Sequence, residues 1–304
     1  MKKLFISALV LMGSAMGCWA QLLDVVSTRR VDLPEGIMVN KATLSPDGNA
    51  VVLSDLASTA LHRMDLNSGK FTRITDNGSS LDLAFSPDGS QIVYRKSTVD
   101  SRKRRHTSLV STDLTTGKEI QMIAPTRNFA GFRVTEDGIL SSISDSRPTA
   151  RRIKGNVQVT KAQPVVGIHR GHLTISRNGE TINLDPQGKG SYLWPSLSPD
   201  GTRIVYYKAA SGCFTCNLDG SDVKPLGYLH GAVWIDNNTV VGFQDIDDGT
   251  MTTESKIIAK SIDGQVSQTL SDDSLIAFNP TVSKDGKRIA FSTDRGELYI
   301  LTIK

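Results

Sequence analysis

The chain has 304 residues, a formal net charge of +4 and only 6% aromatic residues. A nearly balanced charge excludes a global electrostatic case for nucleic acid or a membrane surface as partner. The low aromatic content argues against a dedicated sugar-stacking surface, and the length suits one domain of one fold.

Residues 1–20 read as a secretory leader. Lys2-Lys3 is its charged region, and Leu4 to Met12 is an apolar stretch too short to span a bilayer. Cys18-Trp19-Ala20 presents small residues where a signal peptidase reads, leaving Gln21 as the new N-terminus. The competing reading is a lipoprotein acylated at Cys18, which would carry Ala15 and Trp19 at unfavourable flanking positions. Loss of Lys2 and Lys3 with the leader lowers the formal net charge from +4 to +2. A periplasmic or secreted protein is expected, with residues 21–304 as one domain. No other segment is apolar enough to cross a membrane as a helix.

Beyond the leader the chain repeats. Ser45-Pro46-Asp47-Gly48, Ser86-Pro87-Asp88-Gly89 and Ser198-Pro199-Asp200-Gly201 are each followed by a run rich in Ile and Val. Thr135-Glu136-Asp137-Gly138 and Ser283-Lys284-Asp285-Gly286 are degraded copies, and Val233 to Asn238 is a copy without Asp-Gly. Asp-Gly between alternating apolar runs signals a tight hairpin, because Gly accepts positive φ cheaply. In each unit a second turn, such as Ser68-Gly69 or Thr116-Gly117, separates two further short strands. Four antiparallel strands per 40-odd residues, without helical periodicity, is the pattern of a propeller blade.

These Ser-Pro-Asp-Gly units resemble the WD40-like repeats of TolB-like β-propellers, over nearly all of the chain after residue 20. The resemblance implies an all-β propeller. It implies no single function, because such propellers serve as binding scaffolds, assembly components and accessory domains. TolB carries an extra domain before its propeller, for which this sequence leaves no room. Counting motifs gives six blades. Seven is the alternative, because the third unit is long and could hide a degenerate blade between Ala150 and Val166. The last unit lacks an outer strand, and Leu22 to Val31 is expected to supply it and close the ring.

Candidate chemistry is sparse. On strand order, loops joining strands two and three lie on the face opposite the Asp-Gly turns. Two such loops are basic: Arg102, Lys103, Arg104 and Arg105 with His106 in the second unit, and Arg147, Arg151, Arg152 and Lys154 in the third. They are expected to form one positive patch for an anionic group. The fifth unit opposes them with Asp245, Asp247, Asp248 and Glu254, and a calcium site there lacks the spacing of an EF-hand loop. His169 and His172, with His230, are expected to diverge rather than ligate a metal. Cys213 and Cys216 fall on a strand, pointing to opposite faces, which favours two buried thiols over a bridge or a redox or zinc site.

No nucleophile elbow or acid/base pair stands out. The sequence is therefore read as a non-enzymatic, exported binding or scaffold propeller. No cofactor, no metal and a monomer are expected, with a protein or an anionic envelope polymer as partner. The alternative reading is a lyase or hydrolase acting on an anionic polysaccharide.

Overall fold

The computed structural model describes residues 21–57, 59–160 and 162–304; the expected leader, including Cys18, lies outside them. Among the described residues the strands form seven small antiparallel sheets arranged as a β-propeller. Blades 1, 2 and 3 are the four-stranded sheets spanning residues 39–75, 79–126 and 129–158. Blade 4 has three strands, Val165–His169, His172–Arg177 and Glu180–Asn183. Blades 5 and 6 span residues 192–227 and 230–269, and blade 7 joins Ala277–Val282, Arg288–Thr293 and Leu298–Ile303 to the N-terminal strand Val25–Val31. No helix among the described residues is long and apolar enough to cross a membrane.

The repeated tetrapeptide builds the turn between the first two strands of a blade. Gly48, Gly89 and Gly201 have φ of 68°, 70° and 71°, a region closed to most side chains. The Ser45 hydroxyl donates to Asp47 Oδ1 at 2.5 Å and accepts the Ala50 amide at 2.9 Å. Ser86, Ser198 and Ser283 repeat both contacts. The motif therefore holds its own turn through local side-chain hydrogen bonds.

The count of six blades is overturned, because there are seven. The extra sheet escapes a motif count because it lacks the strand that would precede the motif. In every other blade the innermost strand runs from the loop face to the turn face. In blade 4 it runs the other way. Gln163, just before Val165, lines the turn-face cavity with Pro199 and Asp200, whereas His169 sits with Asn128 and Ser146 at the loop face. Blade 4 thus keeps strands two, three and four and has lost strand one with its turn. The segment Ala150 to Val166 holds the end of blade 3 and only the beginning of the new sheet.

The vacated width is taken up by backbone. The Val165–His169 strand packs directly beside Phe129–Val134, where Gly131 and Gly167 meet. A Cβ on Gly167 would lie 2.3 Å from the Ala130 carbonyl oxygen and 2.8 Å from the Gly131 amide nitrogen. Each blade-to-blade interface carries its own apolar cluster, and this one is the smallest: Ala130, Ile143 and Val165. The blade 7–blade 1 interface, by contrast, buries Val39, Leu44, Val51, Leu53, Leu298 and Ile300 among others.

Closure follows the expected pairing, with Val25 opposite Ile303 and Val31 opposite Leu298. The Leu22 and Leu23 amides also donate to Gln268 Oε1 of blade 6 at 2.8 and 2.9 Å. Leu23, Ile303 and Phe291 share one apolar cluster with Val241 and Ile257 of blade 6. The N-terminal strand therefore ties two blades together.

Two stability outcomes follow. Deleting residues 21–31 removes the buried Leu23 and Val31, breaks the hydrogen bonds to Gln268 and uncovers the edge of Leu298–Ile303, so the melting temperature of the whole ring falls by on the order of 10 °C in a single transition. An unchanged midpoint by circular dichroism would contradict closure by this strand. Replacing Gly167 by Ala drives a methyl into backbone and destabilises by about 1–3 kcal/mol in urea unfolding, whereas Gly117→Ala, with open space around it, costs only the strain of its positive φ.

Candidate functional site: the loop-face mouth of the channel

The innermost strands surround a central channel. Three cavities follow one another along it, of about 400, 380 and 560 Å³ from the loop face to the turn face. Lys41 and Asp82 line both of the first two, and Arg133, Pro199 and Trp234 line both of the last two, so the three are continuous.

Each four-stranded blade carries a register shift at the loop-face end of its innermost strand. The shifts fall between Val39 and Lys41, Ser79 and Leu83, Phe129 and Gly131, Leu193 and Ser196, His230 and Val233, and Phe278 and Thr281. A bulge re-aims the side chain it carries. Counting four residues back from the first residue of each turn motif lands on Lys41, Asp82, Gly131, Trp194 and Asn279, and the degenerate copy gives Gly231. All but Asn279 line the mouth cavity.

Three of the six share a positive φ, Gly231 at 56°, Asn279 at 53° and Trp194 at 47°, so the conformation belongs to the bulge. Trp194 is the bulky residue held in it, where that conformation is costly. Its side chain is 48% exposed. Pro195 explains the local break, since proline cannot donate to the strand ladder. The ring stands 5.5 Å from Tyr207 and 5.2 Å from His230 between centroids. Tyr228 lies 4.4 Å from His230, and the chain of rings runs on through Phe243 to Phe278. Six rings from three blades thus form one ribbon, and Trp194 is its member that lines the mouth cavity.

His230 is held by Asp245, whose Oδ1 lies 2.9 Å from Nδ1. The Tyr228 hydroxyl donates to the same oxygen at 3.4 Å. Burial, reinforced by the Asp245 charge, pushes the Tyr228 phenol up to about 12, so it remains a neutral donor at physiological pH.

Across the cavity stand the charges. Arg95 pairs with Asp82 at 3.0 Å, and its guanidinium lies 4.5 Å from the centre of the Phe129 ring. Burial lowers the Lys41 ammonium below its ordinary value, opposed by the charge of Asp82. Lys41, Arg95 and Asp82 thus line one side of the mouth cavity, and Trp194 lines another.

The expected basic patch is not one surface. Arg102, Lys103, Arg104 and Arg105 are exposed at the tip of the blade 2 hairpin on the loop face. Arg104 Nε pairs there with Asp100 at 2.8 Å, and His106 contacts the same carboxylate. Arg147 begins the third strand of blade 3 on the loop face, but that strand carries the other three residues to the turn face. Arg151 donates to Asn156, Arg152 donates to the Asp137 carbonyl, and Lys154 pairs with Asp88 of the blade 2 turn at 2.8 Å. Residues 147–152 form a strand where a loop is expected, and a strand of six residues spans the blade from one face to the other.

The acidic residues divide as well. Asp245 faces His230, while Asp247 and Asp248 accept backbone amides of their own turn, from Gly249 and from Thr250 and Met251. They lie on blade 6, not on the fifth. His169 and His172 do not diverge, since they pair across the Arg170-Gly171 turn, and His172 Nδ1 lies 2.5 Å from Asp185 Oδ2. Even so, among the described residues no three His, Cys, Asp or Glu side chains gather as a metal site.

Cys213 and Cys216 are free, buried and on opposite faces of one strand. Cys213 packs with Leu226 and Trp234 towards blade 6, and Cys216 with Leu173 and Tyr192 towards blade 4. Burial pushes both thiols up to about 12. The folded state keeps these protons where the unfolded chain begins to lose them near pH 9. Stability therefore falls as pH rises from about 9 to about 12. Both thiols are expected to react with a thiol reagent only after unfolding, and rapid labelling of the native protein would contradict their burial.

The fold and the mouth together define a seven-bladed β-propeller with a channel-mouth site. A solved structure similar to this chain is an oligogalacturonate lyase from Vibrio parahaemolyticus. It aligns at a TM-score of 0.58 with 12% identity, over 90% of this chain and 93% of that one. At this identity the likeness establishes the fold alone. No protein-family model matches the chain, and no curated protein matches it.

Proposed function

We propose that the protein is an exported binding propeller of the TolB-like kind, which holds an anionic polymer at the loop-face mouth of its channel. The observation that carries this reading is Trp194, kept at positive φ by a bulge and half-exposed in a cavity whose opposite wall carries Lys41 and Arg95. Strain at a bulky side chain that points into a charged cavity is more easily understood as ligand positioning than as packing. An aromatic face with nearby cations suits a sugar ring bearing a carboxylate, since the ring stacks while the acid group meets the ammonium and guanidinium. The Ser-Pro-Asp-Gly turns support the TolB-like assignment, and the character of residues 1–20 supports export to the periplasm or beyond.

The second reading, an enzyme acting on an acidic saccharide, draws on the His230–Asp245 pair beside Trp194 and on the lyase with the similar fold. One experiment separates the two. Purified protein is titrated calorimetrically with polygalacturonate and with neutral dextran, and the same mixtures are assayed for unsaturated ends and reducing ends. The binding reading expects heat with the acidic polymer alone and no new ends. Trp194→Ala is expected to weaken binding about three- to tenfold, the worth of one aromatic contact, and Lys41→Met to remove the preference for the acidic polymer. Equal affinity for dextran would sink the anionic reading, and new chain ends would replace it with the enzymatic one.

A further inference from the structure

Two hairpins stand out from the loop face. In blade 2 the middle strands are Gln91–Val99 and Arg105–Asp113, and in blade 6 they are Thr239–Asp247 and Thr252–Ser261. The corresponding strands of the other blades run five or six residues. Blade 2 begins its long strand five residues after the motif serine, as blades 1, 5 and 7 do, so its extra length lies on the loop-face side. Three more residues at about 3.3 Å each lift an arm roughly 10 Å above its neighbours.

The arms are opposite in charge. One ends in Arg102, Lys103, Arg104 and Arg105, of which only Arg104 has an ion-pair partner among the described residues. The other ends in Asp247 and Asp248, with Glu254 on its returning strand, and neither aspartate meets a cation among the described residues. Both arms also expose apolar side chains near their tips: Val99 is 65% exposed on the basic arm, and Ile246 and Met251 are 59% and 65% exposed on the acidic one. These side chains give each charged tip apolar area that a contact would cover.

We propose that two copies of the chain pair face to face, the basic arm of each meeting the acidic arm of the other. The arms stand three blades apart on the shorter way round the ring, close to opposite sides of the channel. A two-fold axis perpendicular to the channel and bisecting the two arms lays each basic tip over the partner's acidic tip. Both contacts then form at once, because the separation between the arms is the same in each copy. This self-complementarity is what a closed two-fold interface requires. Charge steers the approach, and Val99, Ile246 and Met251 supply apolar area between the tips. The pairing sets the two channel mouths opposite each other.

The test is sedimentation velocity of the wild type and two arm variants at about 100 μM protein, in about 0.01 M and about 1 M salt, which shortens the Debye length from about 30 Å to about 3 Å. One variant carries Arg102→Glu and Arg105→Glu, and the other carries Asp247→Lys and Glu254→Lys. The wild type is expected to be a dimer at low salt and largely a monomer at high salt. Each variant alone is expected to be a monomer, and an equimolar mixture of the two to restore a dimer. That recovery also shows that both variants fold. A wild type that is monomeric at low salt overturns the proposal, as does a variant that still dimerises alone or a mixture that does not pair.

Discussion

The ring stands or falls with one pairing, between the strand that begins the described chain and the strand that ends it. A β-sheet blade buries one face against each neighbour, so a row of blades leaves two apolar faces open until first and last meet. Val25–Val31 against Leu298–Ile303 removes that liability. The same contact sets blade 7 between blades 6 and 1, and the two largest apolar clusters lie on either side of it. Every other interface is formed between consecutive blades and is local in sequence. Closure alone spans the whole chain, and it holds the channel at a defined width.

Blade 4 shows how the ring tolerates a loss. With its first strand gone, its second strand moves inward and reverses the direction of the channel wall at that point. Side chains would normally separate neighbouring innermost strands. Here Gly131 and Gly167 let two backbones touch instead. The interface pays with a small apolar cluster, while the adjoining blade 4–blade 5 interface is rich, with Leu173, Ile175, Tyr192, Tyr206 and Cys216 fully buried. The ring is thus uneven in packing strength, thin on one side of blade 4 and thick on the other.

The mouth depends on the same repetition that builds the ring. Because the innermost strand of each four-stranded blade is interrupted within a few residues of its turn, equivalent positions recur around the ring, and five of the six line the channel mouth. Glycine at Gly131 and Gly231 leaves room, lysine and aspartate at Lys41 and Asp82 supply charge, and tryptophan at Trp194 supplies a face. The turn motif and the bulge divide the labour. Serine, aspartate and glycine hold the scaffold by local hydrogen bonds on one face, and the position four residues earlier is free to vary for recognition on the other.

Sequence alone determined the blade architecture, the turn chemistry and the closing strand, because tight turns and alternating strands are written in short-range residue order. It also determined that Cys213 and Cys216 point apart, since a strand alternates with period two. The number of blades was decided by tertiary structure, because blade 4 has lost the very turn that marks a unit. The division of the basic residues between two faces was likewise tertiary: a strand that reads as loop in the sequence runs from Arg147 on one face to Arg151 and Arg152 on the other, with Lys154 in the turn beyond it. The aromatic ribbon was invisible to composition, since 6% aromatic residues says nothing about rings from three blades packing into one chain that ends at the channel mouth with Trp194. Local order dictates each strand and turn, whereas which side chains share a cavity depends on how the sheets close around it.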